Sequence, residues 1–124
     1  MPHLTIEYSA NLEPALKLPA LIDALHAVTA SIDAFPLAGL RTRAVRRDRY
    51  RIADGHPDNA FVHVVLRIAH GRPLEVRKAA GKAIFAALCR QLRPILDTTP
   101  LALSFEIQEL DPVLNFKQGN IRKY

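Results

Sequence analysis

The sequence predicts an α+β fold in which two βαβ units form one four-stranded mixed sheet with both helices on one face. The order strand, helix, strand occurs in a first half, over about 2–52, and again in a second half, over about 60–111. Because a crossover between parallel strands is right-handed, both helices should cover the same face of the sheet. We expect one domain, residues 1–124, with a polar tail over 112–124.

In the first half, residues 2–8 alternate between apolar and polar side chains, which predicts a half-buried strand. Apolar residues then recur at helical spacing and predict a helix from about 15–19 to 32. A second strand is expected over 40–45, followed by a basic loop or short strand to residue 50. The turn-forming residues at 54–58 mark the joint between the halves.

In the second half, residues 61–68 are rich in β-branched side chains and predict a strand. The turn at 71–73 should open a helix that ends near 93–94, because apolar residues recur between them at helical spacing. Residues 101–110 alternate again and predict the fourth strand. The open face of the sheet is expected to carry enough apolar residues to need a cover, which a homo-oligomer could supply.

Composition and charge narrow the class of protein. The chain has 124 residues, 49% of them hydrophobic and 23% charged, which is typical of a folded soluble domain. No apolar run reaches the roughly 18–20 residues of a membrane span, and no signal-peptide layout is seen, so a cytoplasmic location is expected. Seventeen basic against twelve acidic residues give a net charge of +5. This charge favours anionic partners and leaves nucleic acid, acidic metabolites and plain solubility open.

Metal and cofactor motifs are missing from the sequence. The single cysteine, Cys89, lies in an apolar helical stretch, where a buried thiol packs as a small hydrophobe. No metal-binding histidine pair, dinucleotide fingerprint, phosphate-binding loop or nucleophile elbow occurs. His63, in the interior of a predicted strand, is expected to be structural. We therefore expect neither a metal nor a cofactor.

Pro2 is the first candidate for chemistry, because Met1-Pro2 is a start from which the initiator methionine is commonly removed. A free N-terminal proline is a secondary amine that can act as a general base when its pKa is lowered toward neutrality. Burial beside apolar groups and cations does this, since both disfavour the protonated amine. The alternative is that Pro2 only begins a strand, where proline is tolerated.

Arginines form the second candidate group, with six of them between residues 41 and 51. Arg41 and Arg43 should share one face of a strand, and residues 46–51 should lie in a solvated loop. Guanidinium groups bind carboxylates and phosphates bidentately, although such a cluster can also be plain surface charge. Arg72 stands apart, because at the start of a helix an anion would also meet unpaired backbone N–H groups.

Several blocks in order resemble the 5-carboxymethyl-2-hydroxymuconate Δ-isomerase family of the tautomerase superfamily, across essentially the whole chain. They are Pro2 opening a strand, Phe35-Pro36-Leu37-Ala38-Gly39-Leu40-Arg41, Ala53-Asp54-Gly55, Ala60-Phe61-Val62-His63, Gly71-Arg72, Leu101 to Ile107 and Leu114-Asn115-Phe116-Lys117-Gln118. The superfamily includes 4-oxalocrotonate tautomerase and macrophage migration inhibitory factor.

This resemblance implies a homotrimer that catalyses a cofactor-free keto–enol isomerisation of a small anionic dienol in homoprotocatechuate breakdown. It makes Pro2 the base and assigns carboxylate binding to Arg41 and Arg72. Phe116 would keep water from the site. The remaining candidate substrate contacts are Arg43 and Asn115.

The resemblance also implies that the two halves differ. The first half has Asn11-Leu12-Glu13 where the turn arginine would fall, and the second half has an internal peptide near 60–61 in place of the proline. We therefore expect one active site per subunit, built across a subunit boundary.

Two rival functions stay open on the sequence alone. Other proline-based activities share this scaffold, among them dehalogenases and decarboxylases. A basic module could instead contact nucleic acid through residues 46–51 and 90–93, with an affinity that falls steeply with salt. No nucleic-acid motif and little aromatic interleaving support that second function, so no nucleic-acid partner and no membrane partner are expected.

Overall fold

A computed structural model describes residues 2–121 and shows one four-stranded sheet under two long helices. The elements in chain order are β1 (His3–Ser9), α1 (Leu18–Ala30), β2 (Arg41–Arg47), β3 (Ala60–Ile68), α2 (Leu74–Gln91), α3 (Arg93–Leu96) and β4 (Leu101–Glu109). Short 3-10 turns follow β1 and precede β2. From residue 110 to 121 the chain has no helix or strand.

The strand order is β2-β1-β3-β4. β1 runs parallel to β2 and antiparallel to β3, and β3 runs parallel to β4. The predicted mixed sheet of two βαβ units is therefore confirmed. One edge of the sheet gathers the start of β1, the start of β2 and the final residues of β3 and β4, since His3 pairs with both Arg41 and Arg67, and Ile68 pairs with Glu109.

The core lies between the sheet and the two long helices. Leu4 and Ile6 of β1 are fully buried, as are Leu25 of α1 and Ile84 of α2. Thr29 is buried with them, and its hydroxyl donates to the Leu25 carbonyl at 2.7 Å, which satisfies the polar group inside α1. Both helices thus cover the same face, as the right-handed crossovers require.

The second long helix ends for a local reason. Pro94 lacks the N–H group that would continue the hydrogen-bond ladder of α2, so the chain breaks at Leu92 and resumes as the single turn α3. Pro19 is placed differently, in the first turn of α1, where that missing N–H group costs nothing.

The open face of the sheet is mostly polar, so the expectation that it carries enough apolar residues to need a cover is wrong. Strand alternation turns the apolar side chains of β1, β3 and β4 toward the helices and leaves polar ones outside. The outward side chains are His3, Thr5 and Glu7 of β1, Arg41, Arg43, Val45 and Arg47 of β2, Phe61, His63, Val65 and Arg67 of β3, and Ala102, Ser104, Glu106 and Gln108 of β4.

The basic cluster also differs from its prediction. Arg46 and Arg47 belong to β2 and are not loop residues, because they pair in register with the last two residues of β1. Arg46 binds Glu13 and Asp48, each at 3.0 Å, and Arg47 binds Glu7 at 2.6 Å. The nucleic-acid hypothesis relies on the positive charge of residues 46–51, and part of that charge is therefore neutralised within the chain.

Candidate active site

Three of the candidate residues lie at the same edge of the sheet. Pro2 directly precedes β1, Arg41 opens β2, and Arg72 follows the end of β3 by four residues. Because β1 and β2 are parallel and β3 is antiparallel to β1, the starts of β1 and β2 lie beside the end of β3. The topology brings together residues that are up to 70 positions apart in the sequence.

Pro2 is buried at this edge. Its carbonyl accepts a hydrogen bond of 3.1 Å from the backbone N–H of Arg41, so the first residue of β2 is fixed directly beside it. Met1, whose removal is expected from the sequence, lies outside the described residues.

Arg41 lines a cavity of about 480 Å³ between the segment 36–41 and the tail at 117–121. Its Nη1 donates to the carbonyl of Gly39 at 3.1 Å, which holds the guanidinium against the turn that precedes β2. Pro2 is not among the residues that line this cavity. Within one subunit, the arginine and the tail therefore share a cavity that the proline does not enter.

Arg72 is held by the chain itself. Its Nε and Nη2 donate to the carbonyl of Ala34 at 2.9 and 2.6 Å, and its Nη1 donates to the carbonyl of Ala69 at 3.2 Å. The guanidinium carbon also lies 5.2 Å from the ring centroid of Phe35, within the range of a cation–π contact. Since a guanidinium has five N–H donors, these bonds leave two for a ligand. The residue thus fixes the loop between α1 and β2.

Glu109 and Arg77 support this turn, and neither was predicted from the sequence. The Glu109 carboxylate accepts the N–H of Gly71 at 3.2 Å and lies 3.5 Å from Arg77 Nη1 and 3.6 Å from His70 Nδ1. Arg77 Nε in turn donates to the carbonyl of Arg72 at 3.1 Å. The sequence shows Glu109 at the end of a predicted strand and Arg77 near the start of a predicted helix. Their proximity follows from the parallel pairing of β3 with β4, which places Glu109 beside Ile68.

We predict that Arg72→Ala lowers the free energy of unfolding by about 1–3 kcal/mol, because the carbonyl of Ala34 loses both of its guanidinium donors. Urea unfolding at fixed protein concentration measures the change. The matched control is Arg93→Ala, which removes an exposed arginine that lies 3.7 Å from Asp97 and should change stability by less than about 0.5 kcal/mol. Equal effects of the two substitutions would contradict a structural role for Arg72.

The equivalent turn of the first half is closed by different chemistry. Glu13 accepts a hydrogen bond of 2.6 Å from the hydroxyl of Tyr8 and one of 3.0 Å from Arg46. The hydrogen bond from Tyr8, followed by that from Arg46, lowers the pKa of Glu13 below its ordinary value. The Asn11 amide donates to the carbonyls of Pro57 and Asn59 at 3.1 and 2.7 Å. An acidic residue thus stands where the second half has its arginine.

The other candidates do not join the edge within one subunit. Phe116 was expected to keep water from the site. In its own subunit it is 86% exposed and does not shield Pro2. Asn115 is exposed beside it. Arg43 shares the open face with Arg41, as predicted, and its Nη1 lies 3.3 Å from His3 Nδ1.

Over residues 2–121, no group of three or more His, Cys, Asp or Glu side chains is arranged to hold a metal ion. Within the same range, neither long helix combines the length and the apolar character that crossing a bilayer requires.

Distant structural relatives share this architecture. A fused 4-OT (4-oxalocrotonate tautomerase), solved as a symmetric trimer, superposes with a TM-score of 0.64 at 19% identity, over 89% of this chain and 88% of that one. A macrophage migration inhibitory factor-like protein from Entamoeba histolytica gives a TM-score of 0.60 at 12% identity, over 88% of each chain. The fold is therefore that of the tautomerase superfamily, as the sequence predicts.

Closer relatives narrow the class to one family. The model of the 5-carboxymethyl-2-hydroxymuconate isomerase family matches residues 2–124. A 5-carboxymethyl-2-hydroxymuconate Delta-isomerase of Escherichia coli is 42% identical over 121 residues, which cover 98% of this chain and 96% of that protein. A crystal structure of a 5-carboxymethyl-2-hydroxymuconate isomerase from Deinococcus radiodurans R1 superposes with a TM-score of 0.91 at 42% identity, over 97% and 90% of the two chains. The chain belongs to the 5-carboxymethyl-2-hydroxymuconate isomerase family and is an isomerase.

Proposed function

We propose that this isomerase converts 5-carboxymethyl-2-hydroxymuconate, or a similar dienol with two or three carboxylates, to its keto form in aromatic catabolism. The observation that carries the proposal is the 42% identity, across 98% of the chain, to the Escherichia coli protein with that activity in its name. The meeting of Pro2, Arg41 and Arg72 at one edge of the sheet supports it. A cytoplasmic location stays a prediction from the sequence.

In the proposed mechanism, Met1 is removed and the neutral nitrogen of Pro2 accepts the proton of the substrate's 2-hydroxyl group. The electron pair released from that O–H bond forms the carbonyl, and the conjugated double bonds shift along the carbon chain. The protonated proline then returns the proton to the carbon at the far end of the diene. Nothing is oxidised or reduced overall, so the reaction requires no cofactor. Burial of Pro2 favours its neutral form, which is the form that can act as a base.

The two arginines would bind the charged ends of the substrate. Arg41 lines the cavity of about 480 Å³ and would hold a carboxylate there. Arg72 would use the two N–H groups left after its three backbone bonds, and those bonds fix its direction in advance. Guanidinium groups positioned before the reaction stabilise charge that develops on the carbonyl oxygen.

We also propose a homotrimer whose site is completed by a second subunit. The tail exposes large apolar side chains, with Val113, Leu114 and Phe116 between 72 and 86% exposed. An open groove of about 670 Å³ between α2 and β4 exposes Leu74 and Phe85. The edge strands β2 and β4 each have one neighbour in the sheet. A tail from a neighbouring subunit would bring Phe116 and Asn115 to a site that lacks them in the isolated chain.

Two measurements test the assembly. Light scattering should give a mass near three times 13.8 kDa. Refolding an equal mixture of Pro2→Ala and Phe116→Ala subunits should recover activity that neither variant has alone, because some sites would combine an intact proline with an intact phenylalanine. A fully active monomer, or the absence of recovery in the mixture, would contradict a shared site.

The activity is tested by following the ultraviolet absorbance of a 2-hydroxymuconate-type dienol as it converts to the conjugated ketone. We expect ketonisation to be faster with 5-carboxymethyl-2-hydroxymuconate than with the dienol that lacks the carboxymethyl group. The same rate with and without protein would rule the proposed function out. Equal rates with the two substrates would leave an isomerase of different substrate preference.

A further inference from the structure

A cluster of basic side chains lies on the open face of the sheet, next to the start of β1. His3 stands between Arg41 of β2 and Arg67 of β3 in one row across three strands. Arg43, two residues further along β2, reaches back to His3, with 3.3 Å between its Nη1 and the imidazole Nδ1. Neighbouring strands are about 4.7–4.9 Å apart, so long side chains of this row can reach one ligand.

Among the described residues, the charges of Arg43 and Arg67 are not balanced by carboxylates. Further along the same face, Arg47 pairs with Glu7 at 2.6 Å and His63 lies 3.8 Å from Glu106. Within residues 2–121, by contrast, Arg43 and Arg67 form no ion pair with any carboxylate. Like charges on adjacent strands repel one another, and an anion bound between them would remove this repulsion.

His3 is suited to act as a neutral donor in this cluster. Burial, followed by the charges of Arg43, Arg41 and Arg67, lowers the pKa of its imidazole. An Nδ1 that accepts from Arg43 leaves the proton of the neutral ring on Nε2. The ring then orients the guanidinium through one nitrogen and offers an N–H group through the other.

We propose that His3, Arg43 and Arg67 form a binding site for an oxyanion, a carboxylate or a phosphate group, on the open face of the sheet. The two guanidinium groups would each supply a fork of N–H donors, which matches the planar or tetrahedral oxygens of such groups. The imidazole would add a further donor between the two forks.

This site adjoins Arg41 on the open face, but its own residues do not line the cavity of the proposed reaction centre. Neither Arg43 nor Arg67 lines the cavity that Arg41 shares with the tail. Pro2, which directly precedes β1, is buried, whereas His3 is half-buried on the open face. The oxyanion site therefore goes beyond the proline mechanism, and it would exist even if the substrate were a different dienol.

The test is isothermal titration of the whole protein with inorganic phosphate and, separately, with citrate at low ionic strength. We expect saturable binding with a dissociation constant of about 1 mM or tighter. Tighter binding of phosphate would identify a phosphate ligand, and tighter binding of citrate would identify a carboxylate ligand. The absence of saturable binding with either anion would overturn the proposal.

Substitutions separate a site from a general attraction between the basic protein and anions. Arg67→Gln and Arg43→Gln should each weaken binding by about tenfold or more. Arg49→Gln removes the same charge from an exposed position outside the cluster and should weaken it less than about twofold. Similar losses in all three variants would show a general electrostatic effect and overturn the site.

A second readout comes from His3 itself. A bound anion stabilises the protonated imidazole, so saturating phosphate or citrate should raise the pKa of His3, measured by nuclear magnetic resonance. Among the described residues, the charged groups that act on this ring are Arg41 and Arg43 from β2 and Arg67 from β3. An unchanged His3 pKa under saturating anion would place the bound anion elsewhere and contradict the site.

Discussion

Pro2→Ala should lower kcat by about 10²-fold or more, because the ring nitrogen is proposed to carry the proton between the two ends of the diene. The fold should persist, since alanine keeps the carbonyl that accepts the Arg41 N–H at 3.1 Å. Steady-state kinetics with the dienol, together with circular dichroism and light scattering, measure the two effects separately.

The matched control for this substitution is Pro19→Ala, which removes an exposed proline from the first turn of α1, away from the active-site edge. It should leave kcat within about twofold, because the first turn of a helix does not require a proline. A near-normal kcat in folded Pro2→Ala protein would show that another group is the base.

Arg41→Ala should lower kcat/KM by about 10²-fold, because its guanidinium is proposed to hold a carboxylate where charge grows in the transition state. The substitution also removes the bond from Nη1 to the Gly39 carbonyl, while the backbone bond to Pro2 stays. Steady-state kinetics, with urea unfolding as a check on the fold, separate the catalytic loss from any loss of stability.

Arg49→Ala is the control for Arg41, because Arg49 is exposed and lies outside the cavity that Arg41 lines. We expect its kcat/KM to stay within about twofold of the unsubstituted value. A loss at Arg49 as large as that at Arg41 would mean that the overall charge of the protein, and not a positioned guanidinium, governs activity.

The fold could be predicted because its signals are local. The alternation of residues 2–8 and 101–110 and the helical spacing in the two long segments predict these strands and both long helices in their observed order. The short helix α3 is not predicted. The two halves of the repeat then required a mixed sheet with both helices on one face. Gly71-Arg72-Pro73 marked the start of α2 within two residues.

What could not be predicted depends on contacts between distant segments. The polarity of the open face follows from the register of four strands, which single-strand patterns do not give. Arg72 was expected to bind an anion, and only the folded chain shows its three bonds to the carbonyls of Ala34 and Ala69. The exposure of Phe116 likewise shows only in the folded chain, and it is the reason for proposing that a second subunit completes the site.

Whether activity requires the Pro2 nitrogen as a free amine, and not as an amide, tests most directly the proposal that this nitrogen is the base. The measurement compares the protein whose mass shows complete removal of Met1 with a variant carrying one additional residue that is retained before Pro2, both assayed on the same dienol. We expect the extended protein to keep its fold and trimeric mass and to lose nearly all activity, because an amide nitrogen cannot accept the proton. An extended protein with the same kcat as the processed one would show that the Pro2 nitrogen is not the base.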